Sequence, residues 1–270
     1  MLYCKYMHGG TKAWNGFHAF ILAGRENPED KTMMIRIAGF YADIEPRYRK
    51  LYAMCQPYIC TDAPRTDLCV RVTEAEIRAE GGGDASFSPA EQEQLAVYRK
   101  ICTYALAHDA FLMHCAVIEY EGRGYAFSAP SGTGKTTHIR LWQQVFGADK
   151  VTVVNGDKPI LRLIDGVFYA YGTPWCGKEG YQTNTRVPLA GLCFLTRGTE
   201  NRIRPISAEE AIPRLFAQIM VTDSPDLARQ MELADALLGK VPAYLLACNM
   251  EPEAALVALR GMQAGGVRKA

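Results

Sequence analysis

Residues 125–145, YAFSAPSGTGKTTHIRLWQQV, constrain this chain more than any other stretch. Residues 125–128 are a short apolar run of the kind that forms a buried strand. Ile139, Leu141, Trp142 and Val145 recur at helical spacing. Between the two lies Ala129-Pro130-Ser131-Gly132-Thr133-Gly134-Lys135-Thr136-Thr137. Strand, glycine loop and helix in that succession is the context that gives a Walker A sequence its meaning. Gly132 and Gly134 can take positive φ and turn backbone N–H groups inward, and the helix start adds the positive end of its dipole. Ser131, Gly132, Thr133, Gly134, Lys135, Thr136 and Thr137 would then surround the phosphates of ATP. Lys135 would reach the β- and γ-phosphates, and Thr136 would offer its hydroxyl to Mg²⁺. Ala129 stands where such loops usually carry their first glycine, and its methyl is small enough for the turn.

The rest of the chain reads as mixed α/β. Residues 33–40 and 67–73 are expected strands that pair with each other, with a short helix at 48–54 between them. Gly81-Gly82-Gly83-Asp84 is the most linker-like point. It suggests a small N-terminal α/β lobe over 1–86 and a nucleotide-binding core with C-terminal helices over 87–270. Ser88-Pro89-Ala90-Glu91 has the capping-box pattern with proline at the first helical position, so a helix should run to about 108. Strands are expected at 110–119, 123–128, 151–155 and 189–196, with a hairpin at 160–171 turning on Asp165-Gly166. A polar glycine-rich loop fills 172–184. Helices should follow near 208–220, after a second capping pattern at Ser207–Glu210, and near 224–239. A strand at 243–248 and a last helix from about 252 complete the pattern. Residues 1–31 show no clear period.

Composition narrows the class. The formal net charge of +1 over 270 residues gives no global field for nucleic acid or a membrane surface. The nine cysteines form no CxxC pair, so neither a zinc site nor a disulfide framework is suggested. The opening MLYCKYMHGGTKAWNGF lacks the layout of a signal peptide, and no apolar run approaches the length of a membrane span. Reduced thiols then point to the cytoplasm. The oligomeric state is left open.

Three further positions carry chemistry. His114 stands alone on an apolar strand, where a histidine is ordinarily a satisfied core group. Asp157 ends the strand after the phosphate-loop helix, where it could hold Mg²⁺ or accept a proton from an attacking hydroxyl. Arg186, at the end of the polar loop, suits charge developing on a transferred phosphoryl group. Lys178 either assists it or is a solvated loop charge. Cys176 has no histidine nearby in sequence and is not read as a nucleophile.

Met113-His114-Cys115, the Ser131–Thr137 loop, Gly156-Asp157, Asn184-Thr185-Arg186-Val187 and Phe194-Leu195-Thr196 occur in this order. The series resembles the ATP-dependent phosphoenolpyruvate carboxykinases, and the strand–loop layout is equally similar to the HPr kinase/phosphorylase family, which shares their nucleotide-binding core. The resemblance covers about 110–196. It implies a phosphoenolpyruvate carboxykinase/HPr-kinase-like P-loop core, with His114 a ligand to a second divalent ion, often Mn²⁺. It also implies contact of Arg186 with the moving phosphoryl group, and a role for Asp157 as the base that activates a serine hydroxyl. Lys158 departs from the aspartate pair of the HPr kinases. Either Asp157 alone serves the metal, or Lys158 binds a phosphate or substrate anion.

Residues 1–109 leave no room for the carboxykinase substrate domain. The favoured expectation is therefore an ATP-dependent kinase acting on a hydroxyl, that of Ser or Thr in a protein or peptide, docked at 172–184. A small-molecule kinase and a non-catalytic ATP sensor are the alternatives.

Overall fold

In the computed structural model, which describes residues 32–82, 87–220 and 226–265, the chain divides into two units between Tyr104 and Ala105. Among the described residues the first opens on β1 (Met33–Ile37) and β2 (Phe40–Ile44), an antiparallel hairpin. The sequence suggests one strand over 33–40. Ala38 and Gly39 break it, with φ of 50° and 84°, the left-handed pair that a two-residue hairpin turn needs. After α1 (Arg49–Cys55), β3 (Leu68–Val70) pairs in parallel with β2, not with β1 as the sequence suggests. It is also shorter than 67–73, because Thr73 is taken up as N-cap of α2 (Glu74–Glu80), in a full capping box with Glu76 that sequence reading passed over.

The expected cap of α3 (Pro89–Leu106) is present. The Ser88 N–H donates to Glu91 Oε2 at 3.0 Å, and the Glu91 N–H returns to Ser88 Oγ at 3.4 Å. This helix packs with what precedes it. Arg99 pairs with Glu80 at 2.6 Å and Lys100 with Glu76 at 2.7 Å. The buried Glu93 carboxylate accepts the N–H groups of Arg47 and Tyr48 at 2.5 and 3.1 Å. Tyr48 is the N-cap of α1 and offers no side-chain cap, so Glu93 closes that helix end from another element. The first unit thus extends beyond the 86/87 boundary read from the glycines to Tyr104.

The second unit is built on a nine-stranded mixed sheet. Its strands are β4 (Ala110–Leu112), β5 (Cys115–Tyr120), β6 (Arg123–Ser128), β7 (Val151–Asn155), β8 (Ile160–Ile164), β9 (Val167–Tyr171), β10 (Arg186–Arg197), β11 (Arg202–Pro205) and β12 (Ala243–Cys248). The path runs β4-β8-β9-β10-β6-β5-β7, with β12 also on β10 and β11 on β12. Two corrections matter here. The strand expected over 110–119 is interrupted at Met113-His114, so that β4 joins β8 while β5 joins β6 and β7. The strand expected at 189–196 begins at Arg186 and ends at Arg197. Over 186–188 it runs antiparallel to β9, and beyond that parallel to β6 and β12.

Central strands are buried on both faces, so their residues alternate between two cores rather than between core and solvent. Cys115, Val117, Leu192 and Phe194 face one core with Ala211, Leu215, Leu233 and Leu237. The helical members belong to α5 (Ala208–Phe216) and α6 (Asp226–Lys240). Ala116, Ile118, Cys193 and Leu195 face the other, with Ile139 and Trp142 of α4 (Lys135–Phe146) and Ala254, Ala258 and Met262 of α7 (Glu253–Gly265). α5 stops at Phe216, short of 220. The second capping pattern is only half made: Ser207 accepts the Glu210 N–H, but the Glu210 carboxylate turns to Arg204 at 2.6 Å. Residues 1–31, where no element is expected, lie outside the described residues, as does the 83–86 part of the linker. No helix among the described residues is long and apolar enough to cross a membrane.

Candidate functional site

β5 runs antiparallel to both β6 and β7, so β6 and β7 share a direction, and β10 runs parallel to β6. The C-terminal ends of β6, β7 and β10 therefore lie at one edge of the sheet, where β5 begins. Open α/β sheets bind ligands at such an edge. Residues 129–134 leave the end of β6, Asp157 follows the end of β7, and His114 immediately precedes β5.

The loop has the geometry its glycines suggest. Gly132 and Gly134 have φ of 76° and 123°, and a Cβ at either would meet nothing within 4 Å, so it is backbone conformation rather than crowding that excludes a side chain. α4 starts at Lys135 with Gly134 as N-cap and no side-chain cap. Its first N–H groups are left for an anion. The helix is held rigidly behind them. Trp142 is fully buried against Tyr125, Phe127 and Phe146, with ring centroids 5.3, 5.7 and 5.0 Å away. Its Nε1–H donates to His138 Nε2 at 3.0 Å, and burial pushes the His138 ring down to about 3.

Lys135 is buried, and its Nζ donates to the Ala129 carbonyl at 2.9 Å. It also lies 3.0 Å from His114 Nε2, the same nitrogen that stands 3.1 Å from Asp157 Oδ1. That ring nitrogen serves one neighbour at a time: as acceptor it takes Lys135, as donor it gives to Asp157. The other ring nitrogen, Nδ1, is 2.9 Å from Gln218 Oε1, and the Gln218 carbonyl accepts the His114 N–H at 2.6 Å. His114 is thus a strand-break residue pinned by the segment after α5. Burial lowers the Lys135 pKa, partly countered by the Asp157 charge. For Asp157 burial works upward, but the His114 hydrogen bond and the Lys158 charge outweigh it and hold the carboxyl well below the usual range. Lys158 Nζ donates to Asp157 Oδ2.

Asn155 holds this corner together, and sequence reading missed it. It is fully buried. Its Oδ1 accepts the N–H groups of Asp157 and Lys158 at 2.8 and 2.7 Å, and its Nδ2 donates to the Thr173 carbonyl at 3.0 Å. Thr173 Oγ1 returns a hydrogen bond to the Lys158 carbonyl at 2.7 Å. The polar loop runs along the same strand end: the Gly156 N–H donates to the Tyr181 carbonyl at 2.8 Å, and Thr183 N–H to Val154 at 3.1 Å. Gly177, with φ of 81°, passes so close that a Cβ there would stand 3.1 Å from the Asp157 Cβ. An Asn two residues before an Asp at a strand end was the available signal.

His114, Lys135, Asp157 and Lys158 are thus brought together. Thr136 and Thr137 lie on the first turn of α4, half-buried, and Lys178 is exposed in the loop. Arg186 engages other partners: Nη1 donates to Tyr171 Oη at 3.1 Å, and its guanidinium stacks over Tyr169 at 4.9 Å. The guanidinium bonded to the glycine loop 129–134 is Arg197, unremarked in the sequence, whose Nη2 donates to the Gly132 carbonyl at 2.7 Å. Burial raises the Cys176 thiol to about 11.

No family model and no curated protein matches the chain. Among solved structures it is similar to the HPr(Ser) kinase/phosphatase from Coxiella burnetii, with 9% identity over 57% of this chain and 97% of that one, at a TM-score of 0.35. This is a distant structural relation.

Proposed function

We propose that the chain binds the phosphates of ATP in the loop 129–137 and transfers the γ-phosphoryl group to a hydroxyl, that of Ser or Thr in a protein or peptide, as an HPr-kinase-like enzyme. One observation carries this reading. Lys135, buried at the uncapped start of a helix, and Asp157, just beyond the end of β7, converge on one nitrogen of His114. A phosphate seated on the N–H groups of residues 132–137 would draw the Lys135 ammonium from His114 and Ala129, and His114 Nε2 would then serve Asp157 as donor once the ring, whose Nδ1 gives to Gln218 Oε1, has taken up a second proton from solvent. Asp157 would orient the acceptor hydroxyl, and the loop 172–184, zipped to β7, is where that acceptor would dock. Arg197 would steady the loop, and Arg186 could contact phosphate only by leaving Tyr171.

Thr136, on the first helical turn, fits a role in holding Mg²⁺ together with the phosphates. Such an ion would supply neutralisation of charge on the phosphoryl oxygens. A second reading has an observation of its own. The carboxylate of Asp157 is bonded to Lys158 and held below its usual range, which makes it a weak proton acceptor and favours a nucleotide sensor. Purified chain, ATP, and Mg²⁺ or Mn²⁺ supplied separately distinguish the two, with γ-phosphate transfer to protein or small hydroxy compounds followed by mass spectrometry. Asp157→Asn should keep nucleotide binding and lose transfer by about 100-fold or more. An Asp157→Asn protein that turns over ATP as fast as wild type removes Asp157 from the mechanism. Tight binding with no transfer to any acceptor supports the sensor.

A further inference from the structure

Asp157 is the carboxylate beside the phosphate loop on which a divalent ion would ordinarily be seated. Both of its oxygens face groups of the chain itself: Oδ2 accepts from Lys158 Nζ, and Oδ1 stands 3.1 Å from His114 Nε2. Among the described residues no group of three or more His, Cys, Asp and Glu gathers to hold a metal ion, here or elsewhere. A second divalent ion therefore does not fit at Asp157 and His114.

We infer that the Lys158 ammonium holds the place of a divalent cation on the Asp157 carboxylate, so that the site receives a polyphosphate with no metal ion on Asp157. This rests on reading residues 129–137 as a phosphate site. Lys158 is not a loose surface lysine. Its N–H is bonded to the buried Asn155 at 2.7 Å, its carbonyl to Thr173 at 2.7 Å, and its side chain is 14% exposed. An ion entering here would have to displace an ammonium whose backbone is fixed on both sides. It would also meet the charge of Lys135, which is near enough to feel Lys158. Lys135 and Lys158 together balance the charges of Asp157 and of Glu179 in the polar loop, so a further cation finds no excess negative charge at this corner.

The test uses the full chain with Mn²⁺ alone as the first probe, titrated by calorimetry or electron paramagnetic resonance. Wild type should show no Asp157-dependent Mn²⁺ site. Lys158→Asp should bind Mn²⁺ at least about tenfold more tightly, and adding Asp157→Asn should abolish that gain. The second probe is ATP, titrated with Mg²⁺ or with EDTA. EDTA should cost Lys158→Asp about tenfold more affinity than it costs wild type. Lys158→Met, a volume-conserving control for folding, should weaken ATP in EDTA without gaining Mn²⁺. Mn²⁺ binding to wild type that Asp157→Asn removes would overturn the inference. Failure of every variant to bind ATP in either buffer would overturn the phosphate reading instead, and the Mn²⁺ titrations would still decide the place of Lys158.

Discussion

Glu93, on α3 and facing the start of α1, and Lys135, the first residue of α4, are both buried ionisable groups beside a helix start, and they are used in opposite ways. Glu93 answers an open end: its two oxygens take the N–H groups of Arg47 and of Tyr48, the N-cap of α1. Lys135 stands at an end that no side chain closes. Its ammonium has three donors, and the hydrogen bonds that it makes go to Ala129 and His114. Burial of a charge therefore does not by itself mark a site. A charge fully answered by the fold is architecture, whereas one at a helix start that no side chain closes is, under the proposed function, a place for a ligand.

Exchanging the two should break the comparison most clearly. Lys135→Met should reduce nucleotide affinity or transfer by about 100-fold or more, while chemical unfolding shows stability unchanged or raised, since a desolvated charge has been removed. Glu93→Met should cost about 3 kcal/mol in the first unit and leave nucleotide binding in place. A Lys135→Met protein destabilised as badly as Glu93→Met would mean that the two charges do the same job. Asn155→Ala sharpens the distinction from inside the site. It strands the Asp157 and Lys158 N–H groups and should cost about 2 kcal/mol, with kcat falling more than KM rises, because it misplaces Asp157 and leaves the phosphate loop alone.

pH gives a finer test. Burial raises the Glu93 pKa above its ordinary 4.5, so the folded state holds the proton more tightly than the unfolded state does. Stability contributed by that proton is present below 4.5 and is lost as pH rises through the folded value. Urea unfolding of Glu93→Gln against wild type should therefore move in favour of the glutamine as pH climbs from 4.5 toward neutrality. A difference that is flat with pH would show that Glu93 is not desolvated. Smallest of all, Arg197→Ala should weaken nucleotide binding only about threefold, read by calorimetry, because its bond to the Gly132 carbonyl is exposed and steadies the loop without filling it.

What could be read from the sequence follows from how local each feature is. The glycine loop 129–134, its helix and the Asp165-Gly166 hairpin are written in adjacent residues, and they stand where spacing and glycines put them. The break at His114 is not legible. Nothing in AFLMHCAVIE interrupts an apolar strand, and the break depends on Gln218, 104 residues away. The partners of Arg186 are not legible for the same reason. Its position after a polar loop suggests a ligand contact, but the strand starts at that residue and lays the side chain on Tyr169 and Tyr171 of its neighbour. Arg197 shows no pattern at all until parallel pairing of β10 with β6 carries it to the loop.

That pairing has a consequence in time. The glycine loop is made early on a growing chain, yet β6 must wait for β10, whose Gly191 lies opposite Tyr125, and β10 in turn is flanked by β12 at 243–248. Parallel strands so far apart form slowly, because loop closure must precede the contacts that reward it. As the chain leaves the ribosome, a complete glycine loop and helix would be exposed before the strand that braces them exists. Competence to bind a nucleotide should therefore appear late and all at once, after residue 197 has emerged, and chains stalled before that point should bind none.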